Sequence, residues 1–425
     1  MTIYLGLGAN LGDRRNNLTR AIDCLAARGV APLRVSPVVE SAALVPEASP
    51  DDWNLPYLNL VLECETGLSP RDLLTVCKRI EAELGRIHSE RWSPRPIDID
   101  ILLYHDEIVD AAGLTIPHPD MQLRNFVLVP LAALDPELTI PGRGRETVLA
   151  HSQKLEQRIP LWMGIVNLTP DSFSDGGQLT DTPSIEAHVD AMLDAGAHSI
   201  DLGAESTRPG AQPLTATQEL ARLEPTLECL AAKYRNQWLR PRLSVDTYHP
   251  EVARRALELG VDIINDVSGL GTPEMLDLAE SSKAEWIAMH QLGLPADPTR
   301  TLPKNEAPGD QLERWLEARL KLWERAGIER RRIIFDPGIG FGKTARQSLE
   351  LLRHPERFAR FGLRQLIGHS RKSFIGSFHD AAPMERDLAT LGLSLHLIER
   401  GVDILRVHNV AAHTTAYRAW VQARS

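Results

Sequence analysis

The sequence predicts two folds in one chain, an α+β ferredoxin-like domain followed by an α/β TIM (β/α)8 barrel. Over residues 1–140, strand-like and helix-like segments are mixed without a strict βα alternation, which is typical of an α+β sandwich. Over residues 161–425, apolar runs recur that end in polar residues and precede helical patterns, which is the arrangement of a (β/α)8 barrel. Residues 141–160 contain the segment PGRGR and a polar run, and we interpret them as a linker.

Composition limits the classes of partner. The 425 residues carry a formal net charge of −10, which argues against a nucleic-acid or anionic-membrane partner because both need basic surfaces. No apolar run approaches the length of a membrane span, and the first ten residues are a strand pattern with no signal-peptide features. The four cysteines form no CxxC pair, which argues against zinc and a disulfide framework and favours the cytoplasm. They are Cys24, Cys64, Cys77 and Cys229.

Apolar periodicity predicts the elements of the first domain. These are a strand at Thr2–Leu7, a helix at Arg14–Ala27, strands at Leu33–Val39 and Leu58–Glu65, a helix ending at Leu84 with Ser69 as its N-cap, and a strand at Ile97–Tyr104. The segment GLGANLG after the first strand suggests a dinucleotide fingerprint, but its third glycine falls one residue late. A tight turn is the simpler interpretation.

The segment RIHSERWSPRPIDIDILLY, residues 86–104, carries the chemistry of this domain. Asp98 and Asp100 are two apart on a predicted strand, so both carboxylates leave the same face, where a divalent cation relieves their repulsion. The three arginines at positions 86, 91 and 95 can neutralise phosphates, and Trp92 offers a ring for stacking. The alternative is a solvated strand edge with incidental aspartates. The density of arginines favours a magnesium and phosphate site.

This domain resembles 6-hydroxymethyl-7,8-dihydropterin pyrophosphokinase. The similarity rests on GANLGD, PYLN, RWSPRPIDIDILL and IPHPDMQLRNFVL, and it covers nearly all of residues 1–140. It implies that Asp98 and Asp100 hold Mg²⁺ on ATP and that Arg86 and Arg95 contact phosphates. It also implies two sets of binding residues: Tyr57, Phe126, Asn59, Ser41 and the backbone at Leu44 for the pterin, and Glu81, His118 and Arg124 around ATP. Lys78, which we include in the ATP set, stands where the family often has glutamine.

Eight predicted strands of the second domain end in polar residues at the positions where a barrel carries its chemistry. The ends are Asn167, Glu205, Asp246, Asn265–Asp266, His290, Asp336, Gly368–Ser370 and Arg406–His408. The segment DPGIGFGKT is similar to a P-loop, but Pro337 stands where its first glycine belongs. The turn SRKS after the strand Arg364–Gly368 fits an anion or carbonyl site, with a surface basic pair as the alternative.

Seven motifs in order make residues 161–425 resemble dihydropteroate synthase: NLTPDSFSDGG, GAESTRPGA, SVDT, IINDVSG, FDPGIGFGKT, GHSRKSFIG and LRVHN. The resemblance implies that the pterin is held by Asp246, Asn265, Asp336 and Lys372, with Met289 on its face. It implies that Asn167 helps to bind Mg²⁺ and that Arg406 and His408 hold the pyrophosphate. The p-aminobenzoate site is implied to use two loops, one with Asp171 and Phe173 and one with Thr207 and Arg208, together with Ser373 and the helix N-terminus beside it.

The sequence therefore predicts a bifunctional transferase of folate biosynthesis. Its small-molecule partners are ATP, 6-hydroxymethyl-7,8-dihydropterin, the pyrophosphate of that pterin and p-aminobenzoate. A homodimer through the barrel is usual among the synthases it resembles. One alternative is a folate-binding methyltransferase barrel, which shares the pterin residues but lacks the SRKS turn with a TRPG loop. Another is a catalytically dead domain kept as a scaffold, against which the intact Asp98, Asp100 and Lys372 argue.

Overall fold

The computed structural model describes residues 2–46, 49–86, 92–168, 182–205, 213–294, 297 and 299–424. The chain divides into two compact units. The first contains Met1–Ile159 with Gln237–Leu239, and the second contains Pro160–Asn236 with Arg240–Ser425. Of the predicted linker, residues 141–160, all but Pro160 lie within the first unit, and Val148–Ser152 form a helix.

The first unit contains seven strands and four helices among its described residues. They are β1 (Thr2–Ala9), α1 (Arg14–Ala26), β2 (Val30–Val35), β3 (Val39–Ser41), β4 (Tyr57–Thr66), α2 (Pro70–Glu83), β5 (Asp98–Tyr104), β6 (Val109–Ala111), β7 (Leu114–Ile116), α3 (Asn125–Leu134) and α4 (Val148–Ser152). The main sheet has the order β2-β4-β1-β5, with β3 paired to β4, and all of its pairs are antiparallel. This is the strand order of a split βαβ, ferredoxin-like domain, as predicted.

Two apolar clusters lie on opposite faces of this sheet. Leu5, Leu7 and Ile99 belong to the cluster that contains residues of α1 and α2, whereas Tyr4 and Leu102 belong to the cluster with residues of α3. Alternate residues of β1 therefore face different layers, which follows from the period of two in a β-strand.

The prediction of one strand at Leu33–Val39 is wrong. The chain forms β2, which ends at Val35, and β3, which begins at Val39. Pro37 lies in the break, and it has no N–H to donate to a sheet ladder. Ser36 instead bonds to β4, because its Oγ accepts from the Val61 N–H at 2.8 Å. The predicted N-cap is confirmed, since Ser69 Oγ accepts from the Asp72 N–H at 3.3 Å.

The second unit is a closed barrel of eight parallel strands in the order β8 to β15, with β15 paired to β8. Its strands are β8 (Leu161–Asn167), β9 (Ser199–Gly203), β10 (Arg242–Asp246), β11 (Ile263–Asp266), β12 (Glu285–Met289), β13 (Ile333–Asp336), β14 (Arg364–Ile367) and β15 (Ile404–Val407). Its helices are α5 (Thr182–Asp194), α6 (Ala216–Tyr234), α7 (Pro250–Glu258), α8 (Pro273–Ser281), α9 (Pro308–Arg325), α10 (Ala345–Arg353), α11 (Asp387–Glu399) and α12 (Val410–Gln422).

The predicted barrel is confirmed, and the predicted polar residues lie at or just beyond its strand ends. Asn167, Asp246 and Asp336 are the last residues of their strands, and Glu205 follows β9 by two residues. The carboxyl ends of parallel strands meet at one end of a barrel, so these side chains share one mouth. No described helix is both long and apolar enough to cross a membrane.

Candidate active sites

The first unit contains a cavity of about 330 Å³ over one face of its sheet. All the site residues that we predicted for this domain line it, except Glu81. The set is Ser41, Leu44, Tyr57, Asn59, Lys78, Arg86, Trp92, Arg95, Asp98, Asp100, His118, Arg124 and Phe126. Arg91 lies outside the described residues.

Asp98 and Asp100 lie on the cavity face of β5, opposite two glycines of β1. In the antiparallel register, Asp98 pairs with Gly8 and Asp100 with Gly6. A Cβ at Gly8 would lie 3.1 Å from Asn59 Oδ1, and one at Gly6 would lie 3.3 Å from a methyl group of Leu102. Because neither glycine has a side chain, the space beside the carboxylates stays open.

Two arginines hold Asp98 in its charged form. Arg86 Nη1 lies 2.5 Å from Asp98 Oδ1, and Arg95 Nη1 lies 2.9 Å from Asp98 Oδ2. Burial alone would raise the pKa of Asp98, but the two guanidinium groups outweigh it and the pKa is lowered. Asp98 therefore stays ionised and orients both arginines toward the cavity.

Asp100 has the opposite electrostatic environment. Burial and the neighbouring Asp98 charge raise the pKa of Asp100 to about 6. His118 Nε2 lies 3.9 Å from Asp100 Oδ2, but burial lowers the pKa of His118, so the neutral imidazole does not compensate the carboxylate. Such a carboxyl group is undercompensated, and it fits a divalent cation that prefers oxygen ligands.

Glu81 lies behind the cavity on α2 and anchors its wall. It accepts from the Ile99 N–H at 2.9 Å, from Lys78 Nζ at 2.8 Å and from Arg86 Nη1 at 2.7 Å. Its side chain is 3% exposed, and burial raises its pKa. Glu81 thus joins α2 to β5 and positions Arg86.

Other polar and aromatic residues that line the cavity are held in place by hydrogen bonds, an ion pair and a cation–π contact. Asn59 Nδ2 donates to Ser41 Oγ at 3.0 Å, which joins β4 to β3. The Arg124 guanidinium lies 5.9 Å from the centre of the Phe126 ring and bonds Asp120 at 2.7 Å. These contacts give the cavity an apolar wall and a polar rim, which is typical of a site for a flat heterocycle.

The barrel mouth contains a buried network centred on Asp201 of β9, which is fully buried. Asp201 Oδ2 accepts from Arg406 Nε at 2.5 Å and from Asn265 Nδ2 at 3.0 Å, and Oδ1 accepts from Ser244 Oγ at 2.5 Å. Arg406 Nη2 bonds Asp246 Oδ2 at 2.9 Å. The network brings together the predicted residues Arg406, Asp246 and Asn265 from three strands.

Asp246 is undercompensated in this network. Burial raises the pKa of Asp246 to about 7, and the charge of Asp201 adds to this shift. Arg406 opposes the shift, but its guanidinium is shared with Asp201 and does not cancel it. The side chain can therefore gain or lose a proton close to neutral pH.

Asp336 and Lys372 lie beside this network. Asp336 Oδ1 accepts from the Gly338 N–H at 2.7 Å, and Lys372 Nζ donates to the Ile339 carbonyl at 2.6 Å. Burial lowers the pKa of Lys372 to about 8, although Asp336 opposes the shift. Met289, the last residue of β12, pairs with Asp336 in the sheet register and is 3% exposed.

The remaining predicted residues occupy the rim of the mouth. His408 Nδ1 lies 2.9 Å from Ser370 Oγ, and Asn167 is half-buried at the end of β8. Ser373 is exposed, and the helix that we expected beside it is a 3-10 turn of five residues, Ser373–Ser377. The predicted loop residues Thr207, Arg208, Asp171 and Phe173 lie outside the described residues.

Sequence reasoning missed two buried charged residues. Asp201 lies inside the apolar run SIDLG, and an acidic residue in a buried strand was the signal that we did not use. Lys343 was considered only as part of a P-loop. It is 7% exposed, and its Nζ lies 2.9 Å from both the Phe341 carbonyl and His290 Nδ1. Burial lowers its pKa to about 7.

Comparison with known proteins identifies both units. A family described as pterin binding enzyme matches residues 163–408, and 7,8-dihydro-6-hydroxymethylpterin-pyrophosphokinase matches residues 4–136. The fold and the two sites therefore define a two-domain transferase that acts on pterins.

Relatives share the same organisation. The folate synthesis bifunctional protein of Chlamydia muridarum is 39% identical over 440 residues, which covers 98% of both chains. Folic acid synthesis protein fol1 of Schizosaccharomyces pombe is 36% identical, covering 96% of this chain and 57% of that protein. The chain belongs to the family of bifunctional folate synthesis proteins, and it is a bifunctional transferase with a pyrophosphokinase domain and a dihydropteroate synthase domain.

Solved structures of dihydropteroate synthases resemble the barrel unit. The Xanthomonas albilineans enzyme with 4-aminobenzoic acid is 37% identical with a TM-score of 0.57, covering 63% of this chain and 96% of that one. The same enzyme in complex with 7,8-dihydropteroate is 35% identical with a TM-score of 0.54, covering 63% and 97%. These matches do not favour the methyltransferase alternative.

Proposed function

We propose that the cavity of the first unit transfers a pyrophosphoryl group from ATP to 6-hydroxymethyl-7,8-dihydropterin and releases AMP. The barrel mouth then joins the resulting pterin pyrophosphate to p-aminobenzoate, giving 7,8-dihydropteroate and pyrophosphate. The observation that carries the first step is the acid pair Asp98 and Asp100 beside Arg86 and Arg95 in one cavity. Pyrophosphoryl transfer depends mostly on positioning and charge neutralisation, and this set supplies both.

In the first step, we assign the pterin to the wall formed by Tyr57 and Phe126, which stack on its two faces. Asn59 and Ser41, with the backbone at Leu44, read its polar edge. The ATP set is Lys78, Glu81, His118 and Arg124, and Trp92 closes the cavity beside it. Glu81 acts through Arg86 and Lys78, since it bonds both of these cavity residues and does not line the cavity itself.

Asp98 and Asp100 fit Mg²⁺, because the raised pKa of Asp100 marks a carboxyl group with too little positive charge around it. When bound, magnesium neutralises phosphate charge and aligns the phosphates for in-line displacement. Arg86 and Arg95 contact the transferring group from the same side as Asp98, which keeps both side chains extended toward the cavity.

In the barrel, we assign the pterin ring to Asp246, Asn265, Asp336 and Lys372, with Met289 against its face. The carboxyl groups hydrogen-bond the ring and partly offset positive charge that develops on it when pyrophosphate leaves. Arg406 and His408 form the anion pocket for the leaving pyrophosphate, and Asn167 would help to hold Mg²⁺, which would supply further positive charge there. The amine of p-aminobenzoate is the nucleophile, with Thr207, Arg208 and Ser373 around it.

The pairing of Arg406 with Asp201 and Asp246 has a chemical consequence for this assignment. Arg406 pairs with both Asp201 and Asp246, so an arriving pyrophosphate competes with Asp246 for the guanidinium. An Asp246 side chain released from Arg406 is then available to the pterin. Lys372, with its pKa near 8, supplies a further positive charge at the mouth.

The test uses purified protein with Mg²⁺, ATP, 6-hydroxymethyl-7,8-dihydropterin and p-aminobenzoate, and it follows AMP and dihydropteroate together. We expect both products, and AMP without dihydropteroate when p-aminobenzoate is omitted. Asp98→Ala should abolish AMP formation but leave conversion of supplied pterin pyrophosphate intact. Lys372→Ala should have the reverse effect. Equal loss of both activities in either variant would contradict the two-site proposal.

We also propose the cytoplasm as the site of action and a homodimer through the barrel as the assembly. All four cysteines are free, and burial raises the pKa of Cys64 and Cys77 to about 12, so both stay as unreactive thiols. Small molecules are the proposed partners, since the net charge of −10 gives no support to nucleic-acid or membrane binding. Sedimentation velocity at micromolar concentration tests the dimer.

A further inference from the structure

Three metal-ligating side chains meet outside the residues assigned to either reaction. Glu205 follows β9 by two residues, Glu219 lies in the first turn of α6, and His249 is the N-cap of α7. One ligand atom from each lies within 4.8 Å of the others. His249 Nε2 is 3.7 Å from Glu205 Oε2 and 3.8 Å from Glu219 Oε2. We call these three residues the Glu205 cluster.

Each carboxylate of the Glu205 cluster is oriented by one hydroxyl group and keeps one oxygen unused. Glu205 Oε1 accepts from the Tyr248 hydroxyl at 2.8 Å, and Glu219 Oε2 accepts from Thr247 Oγ1 at 3.1 Å. The other oxygens, Glu205 Oε2 and Glu219 Oε1, are buried and take no hydrogen bond from any described residue. The two side chains are only 7% and 1% exposed.

An unused buried carboxylate oxygen is costly, because it has lost its water and gained no donor. The unused Glu205 Oε2 lies 3.7 Å from His249 Nε2, and the Glu219 oxygen beside the same imidazole is Oε2, which already accepts from Thr247. An unused carboxylate oxygen beside a second carboxylate and an imidazole indicates a missing positive charge. The same deficit is visible in Glu219, whose pKa burial raises to about 8, with Asp246 and Glu205 adding to the shift and the Thr247 hydrogen bond opposing it. A bound cation would supply the charge and would satisfy Glu205 Oε2.

We propose that the Glu205 cluster binds a divalent first-row transition cation of the Zn²⁺ and Co²⁺ class. An imidazole nitrogen with two carboxylates is a donor set typical of these ions, whereas Mg²⁺ prefers oxygen ligands alone. Ligand atoms now 3.7 to 3.8 Å apart need to approach by about half an ångström to reach the spacing of a tetrahedral zinc site.

Metal binding would replace one backbone contact of His249. His249 Nε2 lies 3.1 Å from the Leu214 carbonyl oxygen. Binding requires the tautomer with its proton on Nδ1, so that the Nε2 lone pair faces the ion. The Nε2–H that the 3.1 Å contact to the Leu214 carbonyl would use is given up when an ion binds. The sequence argument against zinc concerned cysteine pairs, and it says nothing about a site made of one histidine and two glutamates.

The Glu205 cluster differs from both proposed magnesium sites. It shares no residue with the pair Asp98 and Asp100, which lies in the other unit, or with Asn167. Its residues belong to the βα units of β9 and β10, so a bound ion would join Glu205 to Glu219 of α6 and to His249 at the start of α7. We expect it to stabilise this part of the barrel.

Cobalt titration of the chelator-treated full chain tests the proposal. We expect one Co²⁺ per chain with visible absorption typical of a site with nitrogen and oxygen ligands, displaced by Zn²⁺, and a rise in Tm. His249→Gln and Glu205→Gln should each weaken Co²⁺ binding by at least about tenfold. The His249 side chain is 21% exposed, so we expect His249→Gln to fold. Glu205→Gln, at a second residue of the cluster, tests the same site independently.

Two controls separate this site from others. His354→Gln alters an exposed histidine 3.3 Å from Glu356 and should leave Co²⁺ binding unchanged. Asp98→Asn removes a carboxylate of the first unit and should keep the visible band. Absence of the band in the unmodified chain overturns the proposal, and so does a band that survives unchanged in His249→Gln and Glu205→Gln.

Discussion

Arg406 on β15 donates to Asp246 on β10 at 2.9 Å across the barrel mouth, and the two residues are 160 positions apart in the chain. The same guanidinium bonds Asp201 at 2.5 Å. One positive charge is therefore divided between two carboxylates, and this arrangement determines how the mouth responds to pH and to an arriving anion.

Asp246→Asn should stabilise the substrate-free barrel at neutral pH while abolishing synthase activity. The folded pKa of Asp246, about 7, is above the usual value of 3.8, so the folded state binds more protons than the unfolded state between these values. Stability of the unmodified chain therefore falls as pH rises from 4 toward 7. The asparagine variant lacks this fall, and we expect a gain on the order of 2 kcal/mol at pH 7.5 and little at pH 4.5.

Thermal unfolding of the two chains across this pH range measures the effect. Asp336→Asn is the comparison variant. Burial also raises the pKa of Asp336, but Lys372 opposes the shift, so we expect the same trend with pH and a smaller gain in stability. A pH-independent difference between Asp246→Asn and the unmodified chain would mean that Asp246 is ionised throughout.

Asp100→Asn and Asp98→Asn should both lower AMP formation by about 10²-fold or more, since each removes a carboxylate from the proposed magnesium site. Their effects on stability should differ. Asp98→Asn leaves Arg86 and Arg95 without their shared partner and should lower Tm, whereas Asp100→Asn removes an undercompensated carboxyl group and should not. Kinase assays with thermal unfolding test both statements, and equal Tm changes would contradict the electrostatic assignment.

Lys372 and Lys343 of the barrel should separate activity from stability. Lys372→Met should lower synthase kcat/KM by about 10²-fold, because the mouth loses a positive charge. Lys343→Met should instead destabilise the barrel by about 2 kcal/mol, since its ammonium donates to the carbonyls of Phe341 and His290. Kinetics with supplied pterin pyrophosphate and denaturant unfolding distinguish the two. A loss of activity without a loss of stability in Lys343→Met would place this lysine in the chemistry.

Asp201→Asn should raise the KM for pterin pyrophosphate by about tenfold or more. Its Oδ2 accepts from both Arg406 and Asn265, and an amide cannot reproduce these contacts with a charge. Ser244→Ala is the milder control, because it removes one neutral donor to Asp201 and should change KM by only a fewfold. Unchanged KM in Asp201→Asn would show that the network does not position the anion pocket.

Gly338→Ala should destabilise the barrel by about 3 kcal/mol or more. Gly338 has φ of +66°, and an added Cβ would lie 1.9 Å from the His290 carbonyl oxygen. Gly260→Ala is the matched control, since it has φ of +86° but no atom within 4 Å of its added Cβ. It should cost about 1–2 kcal/mol of strain alone. Similar losses of Tm in the two variants would contradict the steric argument.

Local pattern in the sequence was enough to predict the strand ends of the barrel. A buried strand that ends in Asp or Asn, as at Asp246 or Asn167, is visible within seven residues. The spacing of Asp98 and Asp100 likewise predicted their common face, because the period of a strand is two.

Long-range pairing was not predictable by the same means. Arg406 reaches Asp201 across 205 positions, and nothing in LRVHN specifies which carboxylates it contacts. Glu81 was assigned to ATP from the resemblance, yet its contacts to the Ile99 N–H and Arg86 arise only when α2 packs on β5. The break of the predicted strand at Pro37 was visible in the sequence but was overlooked.

The presence of two compact units on one chain has a consequence for cellular supply. Translation of a single message delivers the two catalytic centres in equal numbers, so the ratio of the two fluxes depends on turnover rates and not on expression. Quality control is also shared. A substitution that unfolds the barrel exposes the whole polypeptide to degradation, and the cell then loses a correctly folded pyrophosphokinase together with the synthase.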